Sequence, residues 1–312
     1  MNQYGESKKT INPWIIAIRP KTLPAGAAPV ILGLTCAYKE IGLLDIPIAI
    51  ITLFCALCLQ ISSNLINDYY DGISGIDDGD RLGPPRAVAL GYLRPDQVKT
   101  AFRGTLLISF LLGIPLIIKG GFIIAVIGVL SLFFAWAYTG GPFPLSRLGL
   151  GEIFAFLFFG PIAVYGTWYL QTLILFKEIN DFSNPVVLLG SATGLLSATL
   201  MGVNNLRDRK NDKSCGKITL ATLLGSKVMR GLIFLFMMTS QFLGYKTLLQ
   251  AFNGAFHIIT LLGPLSFFIF FKVWKGLFTK TDGKDLNESL ATVGKYLFLF
   301  SLSHSFVLIF SP

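Results

Sequence analysis

Charge is scarce in this chain. Asp, Glu, Lys and Arg make up 14% of its 312 residues, while 53% are hydrophobic; soluble domains carry about 25% charged residues. A water-soluble globule of this length cannot hide so much apolar surface, so the composition points to a membrane protein. Histidine is nearly absent. His257 and His304 are the only two, both in late apolar runs, which leaves no histidine base beside the acidic motifs described below and argues against a hydrolase triad. Cysteine is limited to Cys36, Cys55, Cys58 and Cys215. Cys55 and Cys58 form a CxxC inside an apolar run with no second pair, so no structural zinc or disulfide framework is implied. A nucleic-acid motif is also missing, and the net charge of +9 has another explanation in membrane topology. The first apolar run follows Arg19 and Lys21 and ends without a small-residue cleavage site, so it reads as a retained helix rather than a signal peptide.

What the chain does have is long apolar runs. A membrane-spanning helix needs about 20 mostly apolar residues. Candidate spans centre on 23–38, 46–66, 104–118, 121–138, 151–170, 185–204, 229–249, 253–271 and 291–310. The expected fold is therefore all-α, a single polytopic domain over 1–312 with about nine transmembrane helices and a polar N-terminal segment, 1–18. With the N-terminus placed inside, all but four of the 26 Lys and Arg residues fall on the inner side; Lys39, Lys119, Lys177 and Lys246 lie outside, one per loop. The positive-inside rule then assigns the N-terminus and the 2–3, 4–5, 6–7 and 8–9 loops to the cytoplasm, and the C-terminus to the outside of a plasma membrane.

The 17 acidic residues are not scattered. Asp68, Asp71, Asp77, Asp78 and Asp80 follow the second span, and Asp208 and Asp212 follow the sixth. A solvated loop accounts for Asp78 and Asp80 but not for the others. Asn204, Asp208 and Asp212 are spaced by four and share one helical face; Asn64, Asp68 and Asp71 share another, and Asn67 and Asp71 form a further i, i+4 pair. Each set begins inside an apolar run, where a carboxylate costs about 2.5–3.5 kcal/mol. Two helices accepting that cost at one membrane face imply a compensating partner. Carboxylate and amide oxygens are hard ligands suited to Mg²⁺, which is usually shared with a substrate phosphate. Asn67, Asp68, Asp71, Asn204, Asp208 and Asp212 are the candidate ligands. Bases for a diphosphate lie close by: Arg81 and Arg86 after the first cluster, Lys217 after the second, and Arg147 in the 4–5 loop, with Arg19 and Lys21 flanking the first span. The same bases also satisfy the positive-inside rule. Acids in membrane helices also mark ion paths in transporters, but these cluster at one face rather than along a path.

Six stretches carry a family resemblance: RPKTLPAGAAPVILG (19–33), NLINDYYDGISGIDD (64–78), DRLGPPRAVALGYL (80–93), YTGGPFPLSRLGLGEIFAFLFFG (138–160), TWYLQ (167–171) and VNNLRDRKNDKSCGKITLATLLG (203–225). The chain resembles the UbiA-type intramembrane prenyltransferases, and within them the branch acting on 1,4-dihydroxy-2-naphthoate in menaquinone synthesis. The last three helices resemble the family only in pattern. The resemblance implies helices around a central cavity, with Asn67, Asp71 and Asp77 as the first metal motif, Asp68 nearby, and Asp208 and Asp212 as the second. Two Mg²⁺ would bridge them to a polyprenyl diphosphate in the bilayer, and the prenyl group would replace the carboxylate of the naphthoate ring. Asp71 and Asp208 would act in catalysis, and Tyr138 would face the allylic cation or the acceptor. A sibling transferase with a phytyl donor or another aromatic acceptor has the same motifs. Two positions depart from the wider pattern: Gly75 stands where an Asp is common, the next acid being Asp77, and Leu223 stands where Arg is common, with Lys227 as a substitute base. A CDP-alcohol phosphotransferase signature opens like Asp68-Tyr-Tyr-Asp71-Gly72 but keeps its second acidic pair on the following helix, whereas here that pair is Asp208 and Asp212. The two acidic motifs lie four helices apart, which suggests a 4+4 pseudo-repeat plus one helix.

Overall fold

The computed structural model describes residues 12–74, 82–83, 85–142, 144–176, 184–254, 257–269, 271–279, 283 and 285–312. Eleven α-helices occupy these residues: α1 Pro13–Ile18, α2 Leu23–Ile41, α3 Ile46–Ile73, α4 Pro95–Ala137, α5 Gly151–Phe158, α6 Pro161–Phe176, α7 Asn184–Ser214, α8 Leu220–Ala251, α9 Leu262–Ile269, α10 Phe271–Thr279 and α11 Leu286–Ile309. The expected all-α membrane architecture is present. Seven helical stretches among the described residues are long and apolar enough to cross a membrane, and Ile258–Phe268 is a shorter apolar one.

The count of nine is approached because α4 holds two expected spans. Its backbone leaves helical geometry at Gly121 (φ 65°, ψ −152°), a conformation natural only to glycine. The chain doubles back there. Tyr70 of α3 packs against Phe102 (ring centroids 6.5 Å apart) and accepts a hydrogen bond from Trp136 Nε1 at 3.2 Å. A straight helix from 102 to 136 would be roughly 51 Å long and could not bring both residues to one tyrosine. The expected span over 253–271 is instead a 3₁₀ turn, Ile258–Leu261, followed by the short α9.

Local chemistry sets the helix starts. Asp45 caps α3 by accepting from the Ile48 N–H at 3.1 Å, and Thr219 caps α8 by accepting from Thr222 N–H at 3.2 Å. The main core gathers α2, α6, α7, α8 and α11 around Leu32, Trp168, Leu196, Met237 and Phe300. Close helix approach uses small residues, as expected where lipid removes the hydrophobic drive for association. Gly194 of α7 leaves no room for a Cβ against the Phe156 carbonyl of α5. The helix most closely packed on α3 is α4, and on α7 it is α8. Each acid-bearing helix thus has its successor as principal neighbour, as a duplicated unit would give.

Candidate active site

The ends of α3 and α7 face each other across a polar cavity of about 90 Å³. Its walls carry Asn67 and Asp71 from α3, and Asn204, Asn205, Asp208, Asn211 and Asp212 from α7. Tyr138, just past α4, and Arg147 of the following loop close one side; Arg19, Arg86 and Lys217 supply positive charge. Of the expected site residues, nine meet at this cavity. Asp77 and Arg81 lie outside the described residues.

Asp68 does not line the cavity, which corrects its assignment as a metal ligand. It is fully buried, and its two carboxylate oxygens accept the backbone N–H groups of Ala87 at 3.0 Å and Val88 at 3.1 Å. Asn64, on the same face, donates to the Ile18 carbonyl and to Thr22 Oγ1, both at 2.8 Å. One stripe of α3 therefore ties down loops, and the neighbouring stripe of Asn67 and Asp71 addresses the cavity. The loop that Asp68 anchors carries Arg86 inward, where its Nη1 donates to the Asn67 carbonyl at 2.7 Å and its Nη2 to the Asp71 carboxylate.

The second motif is organised by Arg207, which is 2% exposed. Its Nε and Nη2 donate to the two carboxylate oxygens of Asp208 at 2.8 and 2.6 Å, and Nη2 also donates to Asn204 Oδ1 at 2.9 Å. This planar fork is the bidentate geometry in which arginine excels. Lys217 Nζ lies 3.3 Å from Asp212 Oδ1, and its backbone N–H donates to the Asp212 carbonyl at 2.8 Å. A turn at Gly216 (φ 68°) permits that return. The 4–5 and 6–7 loops meet where Gly149 N–H donates to the Ile218 carbonyl at 3.1 Å.

The donor set fits a divalent cation shared with a ligand. Seven Asn and Asp side chains surround the space, and Asp212 Oδ2 is buried without a hydrogen-bond partner. Among the described residues no three acidic, His or Cys side chains cluster tightly enough to hold an ion alone. That is the situation of Mg²⁺ sites completed by waters and substrate phosphate. Each of the three cavity carboxylates instead has a basic partner: Asp71 with Arg86, Asp208 with Arg207, and Asp212 with Lys217.

Arg19, one of the bases expected near the diphosphate, is brought to the cavity wall by a left-handed backbone (φ 53°) at the α1 corner. Sequence reasoning missed Asn205. Asn205 lines the cavity and donates from Nδ2 to Glu152 Oε1 at 2.9 Å, and Glu152 is itself 2% exposed. Its place beside Asn204 in an apolar run was the available signal. Neither Leu223 nor Lys227 is among the cavity-lining residues, so the departure at 223 has no substitute base there.

The model of the UbiA prenyltransferase family matches residues 27–301. The 1,4-dihydroxy-2-naphthoate octaprenyltransferase of Escherichia coli K12 is 37% identical over 220 residues, covering 68% of each chain. Its counterpart in Mycobacterium tuberculosis H37Rv is 39% identical over 212 residues, covering 68% of this chain and 70% of that one. A UbiA homolog from Aeropyrum pernix K1 superposes with a TM-score of 0.67 at 15% identity, over 94% of this chain and 98% of that chain. One from Archaeoglobus fulgidus, bound to GPP and Mg²⁺, gives 0.61 at 16% identity, over 95% and 99%. At such identities the structural likeness speaks for the fold alone, whereas the family match covers most of the sequence. The chain belongs to the UbiA prenyltransferase family.

Proposed function

We propose that this protein transfers a polyprenyl group from its diphosphate to 1,4-dihydroxy-2-naphthoate, with loss of the ring carboxylate, giving demethylmenaquinol, the reduced form of demethylmenaquinone, in menaquinone biosynthesis. The observation that carries the reading is the facing pair of acidic motifs with bases among them at one end of the helices. The relatives named for that acceptor supply the substrate. Asn67, Asp71, Asn204, Asp208 and Asp212 would hold Mg²⁺, which when bound neutralises charge on the departing diphosphate. Arg86 and Lys217 rest against Asp71 and Asp212 and would be free to contact the diphosphate with those carboxylates engaged by the metal. Arg147 adds a third base at the cavity. The allylic C–O bond breaks with its electron pair leaving on the diphosphate. A ring-carbon electron pair forms the new C–C bond, and the carboxylate departs as CO₂, its bonding pair restoring the aromatic ring. Tyr138, whose hydroxyl lies 3.3 Å from Met201 Sδ, presents its ring and the adjacent sulfur as a wall for the allylic cation.

Metal and diphosphate should therefore bind together. Calorimetry with geranyl thiodiphosphate, whose C–S bond resists cleavage, should show binding at least tenfold tighter with Mg²⁺ than with EDTA. Equal affinity in both would count against the paired-motif reading.

We infer that the site lies on the cytoplasmic side, with the N-terminus inside and the C-terminus outside. The distribution of Lys and Arg supports this, since the cavity-lining bases sit at the loop end that carries most of the positive charge. In a cysteine-free background, a cysteine placed at Asp78 should resist impermeant maleimide in intact cells and react after permeabilisation. Labelling in intact cells would reverse the orientation.

A further inference from the structure

We propose that Asn287, at the start of the last helix, is a positioning residue that clasps the two acidic motifs to each other and thereby sets the affinity of the cavity for a metal-bound diphosphate. The inference rests on the diphosphate reading above and concerns a residue in none of the motifs.

Asn287 Oδ1 accepts from Arg207 Nη1 at 3.0 Å, and its Nδ2 donates to the Leu82 carbonyl at 2.8 Å. The first contact reaches the fork that aligns Asn204 and Asp208. The second reaches the loop between the first motif and Arg86. Neither half of the amide is interchangeable: a guanidinium only donates and a backbone carbonyl only accepts. Asn287 therefore has one useful orientation, and its bonds join partners 80 and 205 positions away in sequence. Gly283 reinforces the junction, because a Cβ there would collide with Leu82 and with the Arg207 carbonyl. The start of α11 thus touches both arms of the site at once.

Arg207 is nearly inaccessible and holds both oxygens of Asp208, so whatever fixes its guanidinium fixes that carboxylate. A carboxylate offers about four lone-pair sites, and the fork uses two, leaving others toward the cavity. Loss of the Asn287 contact lets the fork rotate and frees the Leu82 loop. Outer partners of metal ligands typically contribute 10–100-fold in affinity or activity.

The test uses the full chain in lipid nanodiscs, with calorimetry of geranyl thiodiphosphate in Mg²⁺ and a parallel measurement of Tm. Asn287→Leu, which keeps the volume but neither bond, should weaken binding at least tenfold. Asn287→Asp keeps the acceptor for Arg207 but cannot donate to Leu82, and should weaken binding to a lesser degree. Gln171→Leu is the control. It removes a buried side chain that bonds Asp45 at the opposite end of the helices, so it should lower Tm without changing affinity. A merely structural Asn287 would behave like this control. Affinity within twofold of wild type in the Asp variant, or in both variants, overturns the proposal; the Asp variant decides if the Leu variant does not fold. Failure of the wild type to bind overturns the diphosphate reading and this inference with it.

Discussion

Asp71→Asn and Asp208→Asn should each lower turnover at least 100-fold while leaving expression and Tm close to wild type. The two carboxylates stand on different helices but line one cavity, so a metal shared between them loses an anionic ligand in either variant. A 100-fold loss corresponds to about 2.7 kcal/mol of transition-state stabilisation, in the range for removing one preorganised group that stabilises developing charge. Asparagine preserves shape and an oxygen donor, so folding should survive. In the ligand-free protein each change leaves Arg86 or Arg207 against a neutral amide, whose Oδ1 still accepts a hydrogen bond and so limits the fall in Tm. Steady-state turnover in saturating Mg²⁺, with Tm measured in parallel, checks it. Near-normal turnover of Asp208→Asn would mean that the second motif is not part of the site.

Arg86→Ala should raise the KM for the prenyl diphosphate more than that for the aromatic acid, and Arg86→Lys should lower turnover clearly, roughly tenfold. A hydrogen bond to a charged group contributes about 1.5–3 kcal/mol, and a guanidinium makes two in parallel where an ammonium makes a point contact. Were Arg86 only a topological anchor, the lysine would be silent because charge is kept. The structure favours a placed group: the Asp68 carboxylate pins the backbone on the C-terminal side of Arg86, and the guanidinium bridges the Asn67 carbonyl and Asp71. Asp68→Ala should accordingly resemble Arg86→Ala, with a donor-specific KM effect, rather than Asp71→Asn. Kinetics on both substrates distinguish these patterns, and wild-type kinetics for Arg86→Ala would return that residue to the topological role.

Much of this arrangement is legible in the sequence, and the limits are physical. Apolar runs reveal the helices because a spanning segment must satisfy its backbone internally and present apolar side chains to lipid. They also separate 104–118 from 121–138, and the chain turns between these two spans through a single glycine conformation at Gly121. Helical spacing places Asn204, Asp208 and Asp212 together, and the cavity contains all three. The same spacing groups Asp68 with Asp71, yet periodicity says only which residues share a stripe, not what each stripe meets. The partners of Asp68 are backbone N–H groups 19 and 20 residues later, which no pattern of side chains announces. Arg207 reads as one more positive-inside base until its burial is known, and Asn287 has no sequence signal because both of its contacts are long-range.

The central claim is the reaction itself. Its most direct measurement is mass spectrometry of the lipid product formed by purified protein from a mixture of prenyl diphosphates and candidate aromatic acids, with Mg²⁺ present. The expected product is a prenylated dihydroxynaphthalene, or its oxidised quinone, lacking the mass of CO₂ relative to simple addition, formed from 1,4-dihydroxy-2-naphthoate in preference to 4-hydroxybenzoate or homogentisate. A product that retains the naphthoate carboxylate, or one built on another acceptor, would contradict it.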